Sequence, residues 1–515
     1  VLRSIRVLRN IVTNYLRFVV TGLLGFVVTP FMVRHLGDGN YGLWVTIFSV
    51  TGYFGLFDQG IRPSLVRYVS RDHTRSDLDG LSRTVSSALA LYSVAGAVTL
   101  IATAVVAFMF TRWFHITPQQ ADVARATLLL AGASLAIGFP FGVFGATLSG
   151  LQRYDIANTI GIIVSVARAV AFVIVLRMGG GLAGLALTSL VMNLAGHLWS
   201  WIAVRQLLPE LTIGKRFVTR EHLMLVGSYG GIAFLGALAN SVAFQTDAIV
   251  ITAFLGAAAV TPFALAATWV DNVRTLVHSA TWVLSPTASE FDTRGENEKL
   301  HAMMIFGSKY SVLLSWPVLF GLIIFGRNLL VTWMGPHYEY ASRLITILAV
   351  PTLISLPQST ASSVLFGVSR HKGVVALALL NAGANLALSL WWVRPFGITG
   401  VAMGTAVPLA LVGGVATIAY GGRALGLPLG RYLWEGLLQP GAVTIAFLVP
   451  ALLMQRWVHP VGWLPLFGTC AGCWVVFAGC AWRWGLGPSE RNRWTRMVPG
   501  LFGSRVAVAS GDVPG

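Results

Sequence analysis

The chain has 515 residues, 55% hydrophobic and only 11% charged, with a mean hydropathy of +0.73. A water-soluble domain does not bury that apolar fraction, whereas repeated apolar spans of about 20 residues do so in a bilayer. The net charge of +17 does not point to nucleic acid: Lys and Arg stand singly between apolar spans, without a continuous aromatic-interleaved patch, and read as topology signals.

Arg3, Arg6 and Arg9 recur at helical spacing and lead into a full-length apolar run. That pattern predicts a short interfacial helix rather than a cleaved signal peptide. The apolar runs and their breaks then predict about 14 spans. The first six are 11–33, 41–60, 84–111, 121–149, 156–177 and 182–204. The next six are 222–255, 260–284, 301–329, 339–366, 374–393 and 398–420, and a last pair follows at 433–455 and 461–482. With the first residues inside, about 24 of the 36 Lys and Arg fall in cytoplasmic segments, so both termini are expected in the cytoplasm.

An internal repeat runs through the first twelve spans. Leu36-Gly37 matches Leu255-Gly256, Gly150-Leu-Gln-Arg153 matches Gly367-Val-Ser-Arg370, and Gly181-Leu-Ala-Gly-Leu-Ala186 matches Gly397-Ile-Thr-Gly-Val-Ala402. The offsets of 219, 217 and 216 residues agree where chance similarity would scatter. Six spans per unit is an even number, so both units enter the membrane in the same direction. The expected fold is therefore all-α and polytopic, with two six-helix lobes related by a pseudo-two-fold axis along the membrane normal. The division expected is a first lobe over 1–205, a cytoplasmic linker over 206–221 and a second lobe over 222–420. Two additional helices over 421–484 and a disordered cytoplasmic tail over 485–515 complete it.

The opening "hydrophobic-Arg34-x-Leu36-Gly37-x3-Tyr41-Gly42-Leu43 … Asp58-x-Gly60-Ile61 … Arg67-Tyr68" resembles polysaccharide-export proteins. These are lipid-linked oligosaccharide flippases of the multidrug/oligosaccharidyl-lipid/polysaccharide transporter superfamily. Asp247 before Leu255-Gly256 resembles the start of the second lobe in that family, although Thr261-Pro262-Phe263 stands where members carry Tyr or Gly-Tyr. The resemblance implies two lobes and a cargo of undecaprenyl-pyrophosphate-linked glycan. It also implies a bacterial inner-membrane location among membrane lipids, beside other polysaccharide-assembly membrane proteins.

Charges inside spans are the candidate site residues, because a charge at the bilayer centre costs at least about 2.5–3.5 kcal/mol. Arg168 and Arg274 lie about ten residues from both ends of their helices, too deep to snorkel. Arg17 and Lys309 are shallower, and Lys309 reads as snorkelling. Asn14, Arg17 and Thr21 share one face of span 1, and Asn158, Ser165 and Arg168 one face of span 5. Asp271, Arg274, His278, Thr281 and Ser285 form a stripe along span 8. Asn385 is the repeat equivalent of Arg168. Arg17, Arg168, Arg274, Asn14, His278 and Asn385 are thus expected to hold substrate. Asp58, Asp247 and Asp271 are expected to couple an ion or pair with the arginines, Asp271 with Arg274 at i,i+3.

No catalytic set, cofactor or metal site is expected. Cys470, Cys473 and Cys480 share one apolar span and read as packing residues. Coupling to a proton, sodium or the membrane potential follows from the transporter reading. The competing readings are a cation-coupled multidrug antiporter and a membrane glycosyltransferase or polymerase. Interior arginines favour an anionic cargo over a drug cation, and short outer loops leave no place for an enzyme's carboxylates.

Overall fold

A computed structural model describes residues 2–114, 118–228, 231–488, 490–492 and 495, and every regular element among them is helical. Helices close their own backbone hydrogen bonds, which is the condition for crossing hydrocarbon. The first set comprises α1 (Leu2–Phe54), α2 (Leu56–Thr74), α3 (Leu78–Trp113), α4 (Pro118–Gly150), α5 (Tyr154–Arg177) and α6 (Gly181–Leu207). The second comprises α7 (Arg220–Ser228), α8 (Gly231–Leu255), α9 (Val260–Trp282), α10 (Leu284–Thr293) and α11 (Asn297–Met334). It continues through α12 (Ser342–Ser355), α13 (Gln358–Gly367), α14 (Lys372–Pro408) and α15 (Thr417–Leu425). Two further spans, Leu429–Trp457 and Trp463–Gly485, follow.

By length and apolarity ten of the described helices can cross a membrane, or eleven if the bent pair over Pro336–Gly367 is one span. The 53 residues of α1 would extend about 80 Å, far beyond the ~30 Å hydrocarbon core. They are interrupted at Gly37, whose φ of 74° and ψ of 167° leave the helical region. Gly397 interrupts α14 in the same way, at φ 58°. Each of these helices therefore holds two of the expected spans. With α9, whose polar residues lower its hydropathy, the count reaches the expected fourteen.

The repeat reappears in the backbone. Left-handed residues fall at Gly37 and Gly256, at Gln152 and Ser369, and at Gly181 and Gly397, the three places the sequence matches. A fourth pair, Ser76 and Gly295, has the same separation as the first and φ values of 55° and 69°. After α4, Arg153 N–H bonds Leu148 O at 2.9 Å; after α13, Arg370 N–H bonds Leu365 O at 2.9 Å. Both are helix-ending turns in which a left-handed residue lets the chain double back onto its last carbonyls.

In the first set α4 packs on α3 and α6, and α5 packs on α1 and α6; in the second, α8 packs along α14 and α11 along α12 and α13. The largest apolar cluster joins the sets, with Met32 and Tyr41 meeting Ile251, Phe263 and Leu344. The final two spans lean on α11, where Phe325 meets Phe447, Leu466 and Phe477.

Two expectations change here. Lys309 does not snorkel: its ammonium is buried 2.7 Å from Glu490. Glu490 belongs to the segment expected to be disordered, yet its carboxylate also accepts from Tyr310 Oη at 3.0 Å and Gly487 N–H at 2.6 Å. The buried cation supplies a partner that fixes the start of this segment. Residues 496–515, where the rest of that expectation falls, lie outside the described residues.

Candidate functional site

A cavity of about 490 Å³ lies between α1 and α9, with Trp333 of α11 on its wall. On α1 the lining residues Asn14, Phe18, Thr21, Gly25 and Thr29 recur every three or four positions and make one helix face. On α9 the facing residues are Thr268, Asn272 and Thr275. Arg17 is the one charged residue in the lining, and no carboxylate stands there among the described residues.

Arg17 reaches across to α5. Its Nη1 donates to Asn158 Oδ1 at 3.4 Å, and its guanidinium lies on Gly161, where a Cβ would come within 2.9 Å of Cζ. Asn158 in turn donates to Thr13 Oγ1 at 3.4 Å. Arg17 forms no ion pair among the described residues. Asn14 stands beside it on the same wall, as the sequence predicts.

Arg168 is turned away from this wall. Its Nη1 donates to Asn193 Oδ1 of α6 at 3.3 Å, and Asn193 Nδ2 continues to Ser134 Oγ of α4 at 3.1 Å. Asp58 accepts from Tyr92 Oη at 2.6 Å and lies 3.6 Å from Arg62. It is a local pairing residue of the first set and makes no direct contact with Arg17 among the described residues.

The charged stripe of α9 does not line the cavity. Arg274 Nη1 donates to Asp271 Oδ1 at 2.8 Å, and its guanidinium sits 3.9 Å from the centre of the Phe244 ring. Asp271 and His278 are exposed on the surface of the helix. The cavity instead takes the neighbouring positions 272 and 275, one residue or about 100° further round the helix. Arg274 and His278, expected to hold substrate, are thus not among the residues that line this cavity.

Asn385 and Asp247 form a second site, buried inside the second set. Thr405 Oγ1 donates to Asp247 Oδ2 at 2.7 Å, and Asn385 Nδ2 contacts Thr405 Oγ1 at 3.2 Å and Ala243 O at 2.9 Å. Ser389 Oγ donates to Asn385 Oδ1 at 3.3 Å and Val401 O lies beside it. Asp247 Oδ1 is buried without a partner among the described residues. Asn385 is thus grouped with the carboxylate Asp247 rather than with the cavity arginine.

Sequence reasoning missed the aromatic end of the cavity. Phe26 stacks on Trp333 at 5.6 Å, meets Trp269 edge-on at 5.8 Å and meets Trp463 at 5.1 Å. Thr405 was missed as well. The α1 spacing of Asn14, Thr21 and Thr29 carried the signal for one wall; the aromatics look like ordinary apolar residues of their spans.

Fold and site together define a polytopic helical membrane protein whose cavity between two helix sets is largely apolar and carries a single cation and a few amides and hydroxyls. Residues 7–292 match the family model for polysaccharide biosynthesis proteins, and the chain belongs to that family. It is 22% identical over 484 residues to an uncharacterized membrane protein, EpsK, of Bacillus subtilis (strain 168), covering 91% of this chain and 94% of EpsK. It is 20% identical over 415 residues to a putative O-antigen transporter of Shigella flexneri, covering 79% and 95%. Among solved structures, the lipid II flippase MurJ in an inward closed conformation has a TM-score of 0.72 at 11% identity, covering 92% of this chain and 98% of MurJ. The inward-facing conformation of a multidrug resistance MATE family transporter of the MOP superfamily has a TM-score of 0.68 at 17% identity, covering 80% and 96%. At these identities the structural likeness is one of fold.

Proposed function

We propose that the protein flips a polyprenyl-pyrophosphate-linked oligosaccharide, in bacteria undecaprenyl-linked, across the cytoplasmic membrane for polysaccharide biosynthesis. The observation that carries this reading is Arg17, an arginine without an ion pair among the described residues, on the wall of a cavity between two membrane helices. A guanidinium fork matches two phosphate oxygens at once and supplies charge without a reaction. The neutral amides and hydroxyls around it suit a hydrated glycan, and the exposed apolar face of α1 leaves the polyprenyl chain in lipid. The two lobes expected from the repeat would rock about the cavity and expose it to each side in turn.

Coupling is assigned to the buried site of Asp247. One carboxylate oxygen without a partner among the described residues, on a carboxylate whose other oxygen is held by the Thr405 hydroxyl, suits a proton or one monovalent cation such as sodium. A single negative charge does not neutralise a divalent ion.

The test replaces Arg17 in cells that depend on the protein for surface glycan. At matched membrane levels Arg17→Ala should abolish export, and Arg17→Lys should retain part of it. Wild-type export by Arg17→Ala removes the cavity as the pyrophosphate site.

A further inference from the structure

The cavity is chemically uneven. Its Arg17 end is cationic and amide-lined, whereas nine residues along α1, about 13 Å away, Phe26, Trp269 and Trp333 form an aromatic end. Trp333 Nε1 donates to Phe26 O at 2.9 Å, and Trp269 meets Trp333 edge-on at 5.2 Å, so the rings are fixed against one another. Trp269 Nε1 is buried and has no acceptor among the described residues. A phenylalanine would fill the same space without leaving an N–H unpaired, so packing alone does not account for an indole here. Thr29 and Thr268 supply neutral hydroxyls at this end.

Aromatic faces with neutral hydrogen-bonding groups and no carboxylate are the surface that a pyranose ring matches. The C–H bonds on one face of the sugar carry small positive charge and rest on the negative face of the ring, while its hydroxyls meet side-chain hydroxyls. We propose that Trp269 and Phe26, backed by the buried Trp333, form a saccharide subsite that receives a sugar next to the pyrophosphate. Arg17 binds the pyrophosphate at the other end. This rests on the reading of the cavity as a polyprenyl-pyrophosphate glycan site. The separation of the two ends leaves room for the pyrophosphate and one or two rings.

Gly22 and Gly25 complete the geometry. A Cβ built on either meets nothing within 4 Å, so a side chain there enters open cavity without displacing protein. Both positions lie on α1 between Arg17 and Phe26, where the sugar would pass.

The experiment measures binding of two probes to the purified full chain: undecaprenyl pyrophosphate, and the same lipid carrying one hexose. Wild type should bind the hexose-bearing probe about tenfold more tightly, the size of a good aromatic contact. Trp269→Leu and Gly25→Leu should each erase that difference while leaving the bare pyrophosphate lipid unchanged. Arg17→Gln should weaken both probes by the same factor. Equal binding of the two probes by wild type, or a hexose preference that survives in Gly25→Leu, overturns the subsite. A parallel loss of both probes in Trp269→Leu and Gly25→Leu also overturns it. Failure of wild type to bind either probe overturns the substrate reading itself.

Discussion

Thr405 holds only one oxygen of Asp247, at 2.7 Å, although the two residues are 158 positions apart and both are buried. The other oxygen, Oδ1, has no partner among the described residues. An unsatisfied buried acceptor costs about 1–3 kcal/mol, and more when it is charged. A bound proton or cation would offset that cost, which is the reason for proposing Asp247 as the coupling residue.

Asp247→Asn should therefore leave a folded protein whose export no longer responds to the coupling ion. Thr405→Val should keep the response and shift it to higher ion concentration, because one oxygen is lost and the carboxylate remains. Export into sealed vesicles, measured against sodium at fixed pH and against pH at fixed sodium, identifies the ion. An unchanged ion response in Asp247→Asn removes the site from coupling.

Arg274 now has a different expected role. Its guanidinium is held by Asp271 at 2.8 Å and by the Phe244 ring at 3.9 Å, so its charge is already compensated. Arg274→Ala should impair export by leaving Asp271 unpaired and Phe244 uncovered. The double variant Asp271→Asn with Arg274→Gln should recover most of it, since neither charge is then left alone. Glycan export at matched membrane levels separates the cases. An inactive double variant returns Arg274 to the substrate site.

Much of the fold was legible in the sequence, because membrane spans and repeated glycines follow from strong local physics. Gly37 and Gly256, or Gly181 and Gly397, look alike in sequence because the left-handed region favours glycine. Ser76 and Gly295 adopt the same conformation with unlike residues, so no match appears between them. The site was less legible for a similar reason. Charges on α9 draw the eye to Asp271 and Arg274, while one residue of helix rotation gives the cavity the quieter Asn272 and Thr275. The partner of Lys309 was hidden because Glu490 lies 181 positions away in a polar segment.

That partner makes a stability prediction. Burial alone would raise the Glu490 carboxyl, but Lys309, the Gly487 N–H and Tyr310 outweigh it and hold it below its ordinary value. A depressed carboxyl stabilises the fold above its unfolded value of about 4.3, and the contribution is lost as pH falls through the lower folded value. Glu490→Gln leaves the Lys309 ammonium buried without its counter-charge, a loss of roughly 3–5 kcal/mol for a well-buried pair. The detergent-solubilised variant should melt several degrees lower at pH 7 and lose this difference at strongly acid pH. Replacing both residues, Lys309→Met with Glu490→Gln, should restore most of the loss. Equal melting of Glu490→Gln and wild type at pH 7 would show the pair to be incidental.

The two helix sets are tied along one seam, and the ties are reversible contacts. Thr46 Oγ1 and Thr252 Oγ1 meet at 2.5 Å, Tyr53 bonds Thr246, and Thr261 Oγ1 donates to Asp38 O at 2.7 Å. Tyr338 donates to Asp38 in the same turn, and His337 Nε2 is 3.4 Å from its other oxygen. Rocking of the sets would have to break these ties. The Thr46–Thr252 pair is buried and its two side chains already touch, close to the separation a disulfide needs. In a background with Cys470, Cys473 and Cys480 replaced, Thr46→Cys with Thr252→Cys should cross-link under mild oxidation. Export should stop in proportion to the cross-linked fraction and return on reduction, while each single cysteine variant stays active. Full export by a fully cross-linked protein would mean that this seam does not open, and transport would then have to proceed with α1 and α8 held together.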